Sequence, residues 1–125
     1  MSELVVFEQL GEEGIAALAH SFYQGMRKDD LVGAMYPEDD WEGAEKRFAD
    51  FLIFRFGGSD RYIQERGHPR LRMRHNPFSI GEAERDRWME IMRTAMKERE
   101  VPSPSMEVLE QFFAQTADFM RNQAD

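Results

Sequence analysis

Apolar residues recur at helical spacing in four stretches of this chain. The first runs through Ile15, Leu18, Ala19, Phe22, Tyr23 and Met26. Offsets of three and four place such residues on one stripe of a helix. The second takes Trp41, Ala44, Phe48, Phe51, Leu52 and Phe56, with Asp39 or Asp40 standing where an N-cap belongs. The third uses Trp88, Ile91, Met92, Ala95 and Met96, and Ser79 and Glu82 ahead of it have the spacing of a capping box. The fourth passes through Met106, Leu109, Phe112, Phe113, Thr116 and Met120, with Ser103 followed by Pro104 at the expected first helical position. No alternating, strand-like pattern competes with these. The predicted class is all-α, as a single domain over residues 1–125.

Turn chemistry separates the stretches. Proline disfavours helix in the residue before it, so Tyr36-Pro37-Glu38-Asp39-Asp40 closes the connection after the first helix. Gly57-Gly58-Ser59 ends the second, because glycine can take the left-handed terminating conformation. Between Asp60 and Ile80 apolar residues are sparse and Pro69 and Pro77 intervene, which leaves room for short helical turns only. The layout is two helices, an irregular segment, then two more helices.

Charge changes the picture in one place. A net charge of -8 excludes general nucleic-acid affinity, which needs a positive surface. Yet Arg61, Arg66, Arg70, Arg72 and Arg74 crowd the irregular segment together with His68 and His75. Such a segment in an acidic chain is either a solvated charged face or the seat of a local anionic partner. Cysteine is absent, which removes disulfides and thiolate metal sites and suits a reducing cytoplasm. The first residues lack the pattern of a signal peptide, and no apolar run is long enough to span a bilayer. Neither membrane nor nucleic acid is an expected partner.

Candidate chemistry rests on few residues. His75 lies four residues after Leu71, so in a helical turn both share a face, and Asn76-Pro77 closes that turn. A lone histidine there is either structural or a metal ligand. Tyr23, Tyr36 and Trp88 are polar-tipped aromatics on predicted interior faces, and each can bury its ring while its OH or NH closes a hydrogen bond. No serine–histidine–acid set, phosphate-cradling glycine loop or calcium loop is present. The many phenylalanines and methionines pack well either on one another or on a large flat apolar ligand.

In combination these residues are more specific than they are singly. Phe22-Tyr23, Met35-Tyr36-Pro37-Glu38-Asp39-Asp40, Gly57-Gly58, the run Arg66-Gly67-His68-Pro69-Arg70-Leu71-Arg72-Met73-Arg74-His75, Pro77-Phe78 and Glu84-Arg85-Asp86-Arg87-Trp88 resemble group II truncated haemoglobins. The match extends from Gly14 to Met120. It implies a two-over-two helical sandwich around one haem b (iron protoporphyrin IX). His75 matches the family's proximal iron ligand, and Tyr23, Tyr36 and Trp88 match its polar distal residues, with Ala44 and Phe48 beside them. Ala44 stands where many globins have a distal histidine.

On this resemblance the anions missing from the basic segment are the haem propionates. Arg66, His68 and Arg72 are their expected partners, with Tyr62 and Arg47 as helpers. Phe51, Met73, Phe78 and Met92 are expected pocket walls, alongside Phe48. One departure stands out: the family's glycine pair before the first long helix is replaced by Gly11-Glu12-Glu13-Gly14, so the start of that helix is expected to differ.

The function implied is reversible binding of oxygen or a related diatomic ligand, for transport, storage, sensing or detoxification. The alternative is a haem-dependent redox enzyme, peroxidase-like or nitric oxide dioxygenase-like. A third, haem-free alternative is a helical interaction module that uses the arginine segment. A reductase and a second copy of the chain, as a homodimer, stay open as partners.

Overall fold

The computed structural model describes residues 3–33, 40–66 and 81–119, and for Arg61, Tyr62, Arg66 and Phe119 the backbone alone. Within them the predicted stripes become helices α1 (Leu4–Lys28), α2 (Trp41–Arg55), α4 (Glu82–Glu98) and α5 (Ser105–Phe119). A short helix, α3 (Arg61–Arg66), occupies the start of the basic segment. No strand occurs among the described residues. No described helix is long and apolar enough to cross a membrane. Helix α1 packs on α2, α4 and α5, and α4 packs on α5, which is the expected two-over-two arrangement.

The stripes bury as their spacing demands. Ile15, Leu18, Ala19, Phe22 and Met26 of α1 are all at most 1% exposed. Leu52 and Ile53 of α2 and its C-cap Phe56 meet them, with Met92, Ala95 and Met96 from α4, and Leu109 and Phe113 from α5. Full burial of one such side chain contributes about 1.5–3 kcal/mol, so this core dominates the fold's stability.

Helix α1 begins well before the predicted stripe. Residues 4–10 form an extra helical stretch set at an angle by Gly11, which adopts φ 69° and ψ 179°. Only glycine occupies that region readily. A Cβ at Gly11 would meet nothing within 4 Å, so the requirement is conformational and not one of space. The bend lets Val6 bury completely. It also brings Gln9 to the start of α5, where its side chain accepts the Ser105 N–H at 3.1 Å and donates to the Ser103 carbonyl at 3.0 Å. Helix starts leave backbone N–H groups without intrahelical partners, and Gln9 supplies one. The first helix thus bends within the Gly11-Glu12-Glu13-Gly14 segment.

Helix ends confirm one expectation and correct three. Gly57, at φ 102°, closes α2, and the Gly58 N–H donates back to the Ile53 carbonyl at 2.7 Å, a Schellman turn. At the other end Asp40 holds the N-cap position but makes no capping bond; its carboxylate accepts Arg47 at 2.6 Å instead. A guanidinium two turns along is the stronger partner for a half-exposed carboxylate than a neutral N–H. In place of the box expected of Ser79 and Glu82 there is half of one, further along: α4 starts at Glu82, and the Glu84 carboxylate accepts the Gly81 N–H at 2.7 Å, with no side chain on Gly81 to return the bond. Ser79 lies outside the described residues. Pro104 stands one position before α5, and the Ser103 hydroxyl reaches over the first turn to Glu107 at 2.9 Å.

Replacing Gly11 by alanine is expected to cost about 1–3 kcal/mol through backbone strain alone. Urea unfolding would show the loss, and hydrogen exchange would place it in residues 4–10, which should open while the α1–α4 core stays protected.

Candidate functional site

Tyr23 lies on the buried stripe of α1, 6% exposed, and Phe22 beside it is 1% exposed. The two rings meet edge to face with centroids 5.3 Å apart. From α2, Phe48 approaches Phe22 at 5.3 Å and Tyr23 at 5.7 Å. From α4, Trp88 lies 4.9 Å from Phe22. Phe113 of α5 completes the group, 5.7 Å from Trp88 and 6.3 Å from Phe48. Aromatic pairs at these separations and tilts each add about 0.5–1.5 kcal/mol beyond area burial.

Each ring is placed by its helix register. Ala44 is buried one turn before Phe48, and Phe51 is buried further along the same helix. Met92 follows Trp88 by four residues and is fully buried. Helices α1 and α4 come together at Gly25, where a Cβ would lie 2.7 Å from the Ile91 side chain. That close approach lets Phe22, one turn earlier, touch Trp88.

Of the predicted site residues, the structure therefore gathers Tyr23, Phe48 and Trp88 into one cluster, with Ala44, Phe51 and Met92 on the helices that form it. Arg47 is held by Asp40. Tyr36, His68, Arg72, Met73, His75 and Phe78 lie outside the described residues, as do the side chains of Tyr62 and Arg66. Three members were not singled out from sequence. Phe22 and Phe113 bridge the helices, and Trp41 meets Tyr23 at 6.1 Å while the Arg27 guanidinium lies 5.8 Å over its ring. All three sit on the periodic stripes; periodicity marked them as core without saying which partners they would meet.

A second feature flanks the cluster. Asp29, the C-cap of α1, directs one carboxylate oxygen to the N–H groups of Leu31 and Val32 at 2.9 and 3.0 Å. The other oxygen accepts Arg87 of α4 at 2.6 Å. Burial alone would raise the Asp29 pKa, but the Val32 N–H, the Arg87 guanidinium and the Leu31 N–H together outweigh it and hold the carboxyl below its ordinary value. Arg87 is shifted upward by the same hydrogen bond and charge.

The donor chemistry of the cluster fits a large apolar cofactor with a small polar ligand. Its described rings carry phenol and indole tips in an aromatic surround, with Met92 and Ala44 adding apolar surface. Such surfaces suit a flat macrocycle, and the tips suit a ligand that accepts hydrogen bonds.

Comparison with known proteins gives this fit a class. The family model described as Bacterial-like globin matches residues 5–122. The group 2 truncated hemoglobin YjbI of Bacillus subtilis (strain 168) is 34% identical over 119 residues, 95% of this chain and 89% of that protein. A thermostable hemoglobin from the actinobacterium Thermobifida fusca superposes with a TM-score of 0.91 at 40% identity, covering 100% of both chains. A truncated oxygen-avid haemoglobin from Bacillus subtilis gives 0.87 at 33% identity, covering 93% of this chain and 98% of that one. The fold is that of a globin. More narrowly, this chain belongs to the group II truncated haemoglobins, and haem is the cofactor that membership implies.

The Asp29 shift has a definite sign. A carboxyl with a depressed folded pKa stabilises the fold above its unfolded value, about 3.9 for aspartate, and that contribution is lost as pH falls through the lower folded value. Arg87 stays charged throughout this range. The stability advantage of the native chain over Asp29→Asn is therefore expected to be constant above about pH 5 and to shrink below about pH 4. Urea denaturation of both chains from pH 7 to pH 3 measures it.

Proposed function

We propose that this protein binds oxygen, or a closely related diatomic ligand, reversibly at a haem b held by His75. The observation that carries the reading is the convergence of Tyr23 and Trp88 within the aromatic cluster, in a chain of the truncated haemoglobin family. Haem supplies an iron with one open coordination position for the ligand. The chain's own residues do the rest.

His75 would hold the iron through an imidazole nitrogen. Tyr23, Tyr36 and Trp88 would donate hydrogen bonds to a small ligand that accepts them. Each such bond contributes about 1–3 kcal/mol. Phe48 and Phe51, with Met73, Phe78 and Met92, exclude water from the pocket, and Ala44 leaves space for the ligand where a histidine would fill it. Arg66, His68 and Arg72 would bind the propionates through charge-assisted hydrogen bonds, with Tyr62 assisting. Arg47 assists where its link to Asp40 allows. The avid oxygen binding named for the Bacillus subtilis relative supports strong retention here.

The visible spectrum of the haem-loaded protein tests the proximal assignment. A sharp Soret band that shifts on reduction and on carbon monoxide binding is expected, and His75→Ala should lose or alter it. Failure to take up stoichiometric haem would return the arginine segment to an interaction role. For the distal assignment, Tyr23→Phe and Trp88→Phe are each expected to speed oxygen release by roughly five- to hundredfold, measured by stopped-flow displacement. Unchanged release in both would remove the distal-donor role.

A further inference from the structure

We propose that Asp29 and Arg87 are positioning residues for ligand retention, a pair that fixes the indole of Trp88 relative to Tyr23; this rests on the distal-donor reading above. Tyr23 and Trp88 stand on different helices, and two donors on separate elements serve one small ligand only if those elements hold a fixed offset. The described ring contacts between them run through Phe22, and through Phe48 and Phe113, apolar rings that fix an indole's angle less firmly than a charged hydrogen bond does. The directional link lies at the Asp29 carboxylate.

That carboxylate belongs to the C-cap residue of the helix that carries Tyr23, six residues after it, whose backbone N–H donates to the Met26 carbonyl at 3.2 Å. It grips Arg87, the residue immediately before Trp88, across 58 positions of sequence. Its other oxygen is committed to the Leu31 and Val32 N–H groups, so the carboxylate cannot turn to follow a moving guanidinium. Its side chain is only 11% exposed, whereas that of Arg87 is 43% exposed. The anchor is therefore fixed in the protein and the arginine reaches in to it. Glu90 lies 3.6 Å from Arg87 on the same helix, and Asp30 adds negative charge nearby, but neither offers the short contact that Asp29 does.

The Arg87 side of the pair is 43% exposed, so solvent screens part of what it adds to stability. Its geometry also serves orientation. Hydrogen bonds weaken steeply as their angle closes, so a small rotation of α4 would weaken the indole's bond to the ligand while leaving the ring packed on Phe22 and Phe113.

The test uses haem-loaded full-length protein in four forms: native, Arg87→Ala, Trp88→Phe and the double variant, with Arg87→Lys as the conservative replacement. Oxygen release is read by stopped-flow displacement. Ligand environment is read from the infrared stretch of bound carbon monoxide, and local order from hydrogen exchange at the Leu31 and Val32 amides. Arg87→Ala should keep its Soret band, speed oxygen release by about three- to tenfold, broaden or split the carbon monoxide band and speed exchange at those amides. Arg87→Lys should recover part of each effect. In the Trp88→Phe background the same replacement should leave release unchanged, because it acts through the indole. An equal acceleration in both backgrounds, or no acceleration in either, overturns the positioning role. An unchanged release rate in Trp88→Phe alone overturns the donor role of Trp88 and the positioning role together. A normal response to Trp88→Phe with full additivity overturns the positioning role only.

Discussion

Four helices of this protein meet on one side chain or its immediate neighbours. Phe22 is almost wholly buried on α1 and touches Phe48 of α2 and Trp88 of α4, and Phe113 of α5 closes the ring by contacting both of those residues. Interiors pack as densely as organic crystals, so a ring at such a junction cannot be trimmed without leaving a cavity. Phenylalanine to alanine in that setting typically costs about 3–5 kcal/mol. The consequence reaches beyond stability. Tyr23, Phe48 and Trp88 all touch the same ring, so the residues that pack the core and those that line the candidate pocket are largely one group.

The sequence exposed this arrangement unevenly. Stripes such as Ile15-Leu18-Ala19-Phe22-Met26 were readable because α-helical spacing leaves a clear record when one face is buried. Residues 4–10 were not, since a helical stretch that short carries too few apolar positions to establish a period, and its burial depends on the bend at Gly11 and on Gln9 meeting α5. Caps were misplaced for a related reason. Asp40 has the right chemistry and position for a cap, but Arg47 offers a charged partner that local spacing does not weigh. Glu82 and Glu84 are equally suited to a capping box, and only the true start of α4 decides between them.

The candidate site was legible at its aromatic members and illegible at its links. Tyr23 and Trp88 drew attention because polar-tipped aromatics on interior faces are uncommon and because the surrounding motif is distinctive. Asp29 and Arg87 look like ordinary surface charges in a chain with many of both signs. Their significance lies in a contact between residues 58 positions apart, which no local pattern encodes. His75 presents the opposite case. Its neighbours make a recognisable motif, while its spacing alone does not separate a ligand from a structural histidine.

The proposed distal donors also bear on what kind of work the pocket suits. Each hydrogen bond to a bound ligand adds to the barrier for its escape, and two acting together slow release by roughly twenty-five- to ten-thousandfold if their contributions add. Additivity is not assured for neighbours in one network, since moving one donor disturbs the other. A rigid mounting preserves the sum, because neither donor must be ordered at the moment of binding and that entropy cost has already been met in folding. Long retention fits poorly with bulk delivery, which needs release on the time scale of demand. It fits better with holding scarce ligand or with presenting it to a second reactant. On the proposed donor roles, the rigidity that ties Tyr23 to Trp88 therefore favours scavenging or chemistry over transport.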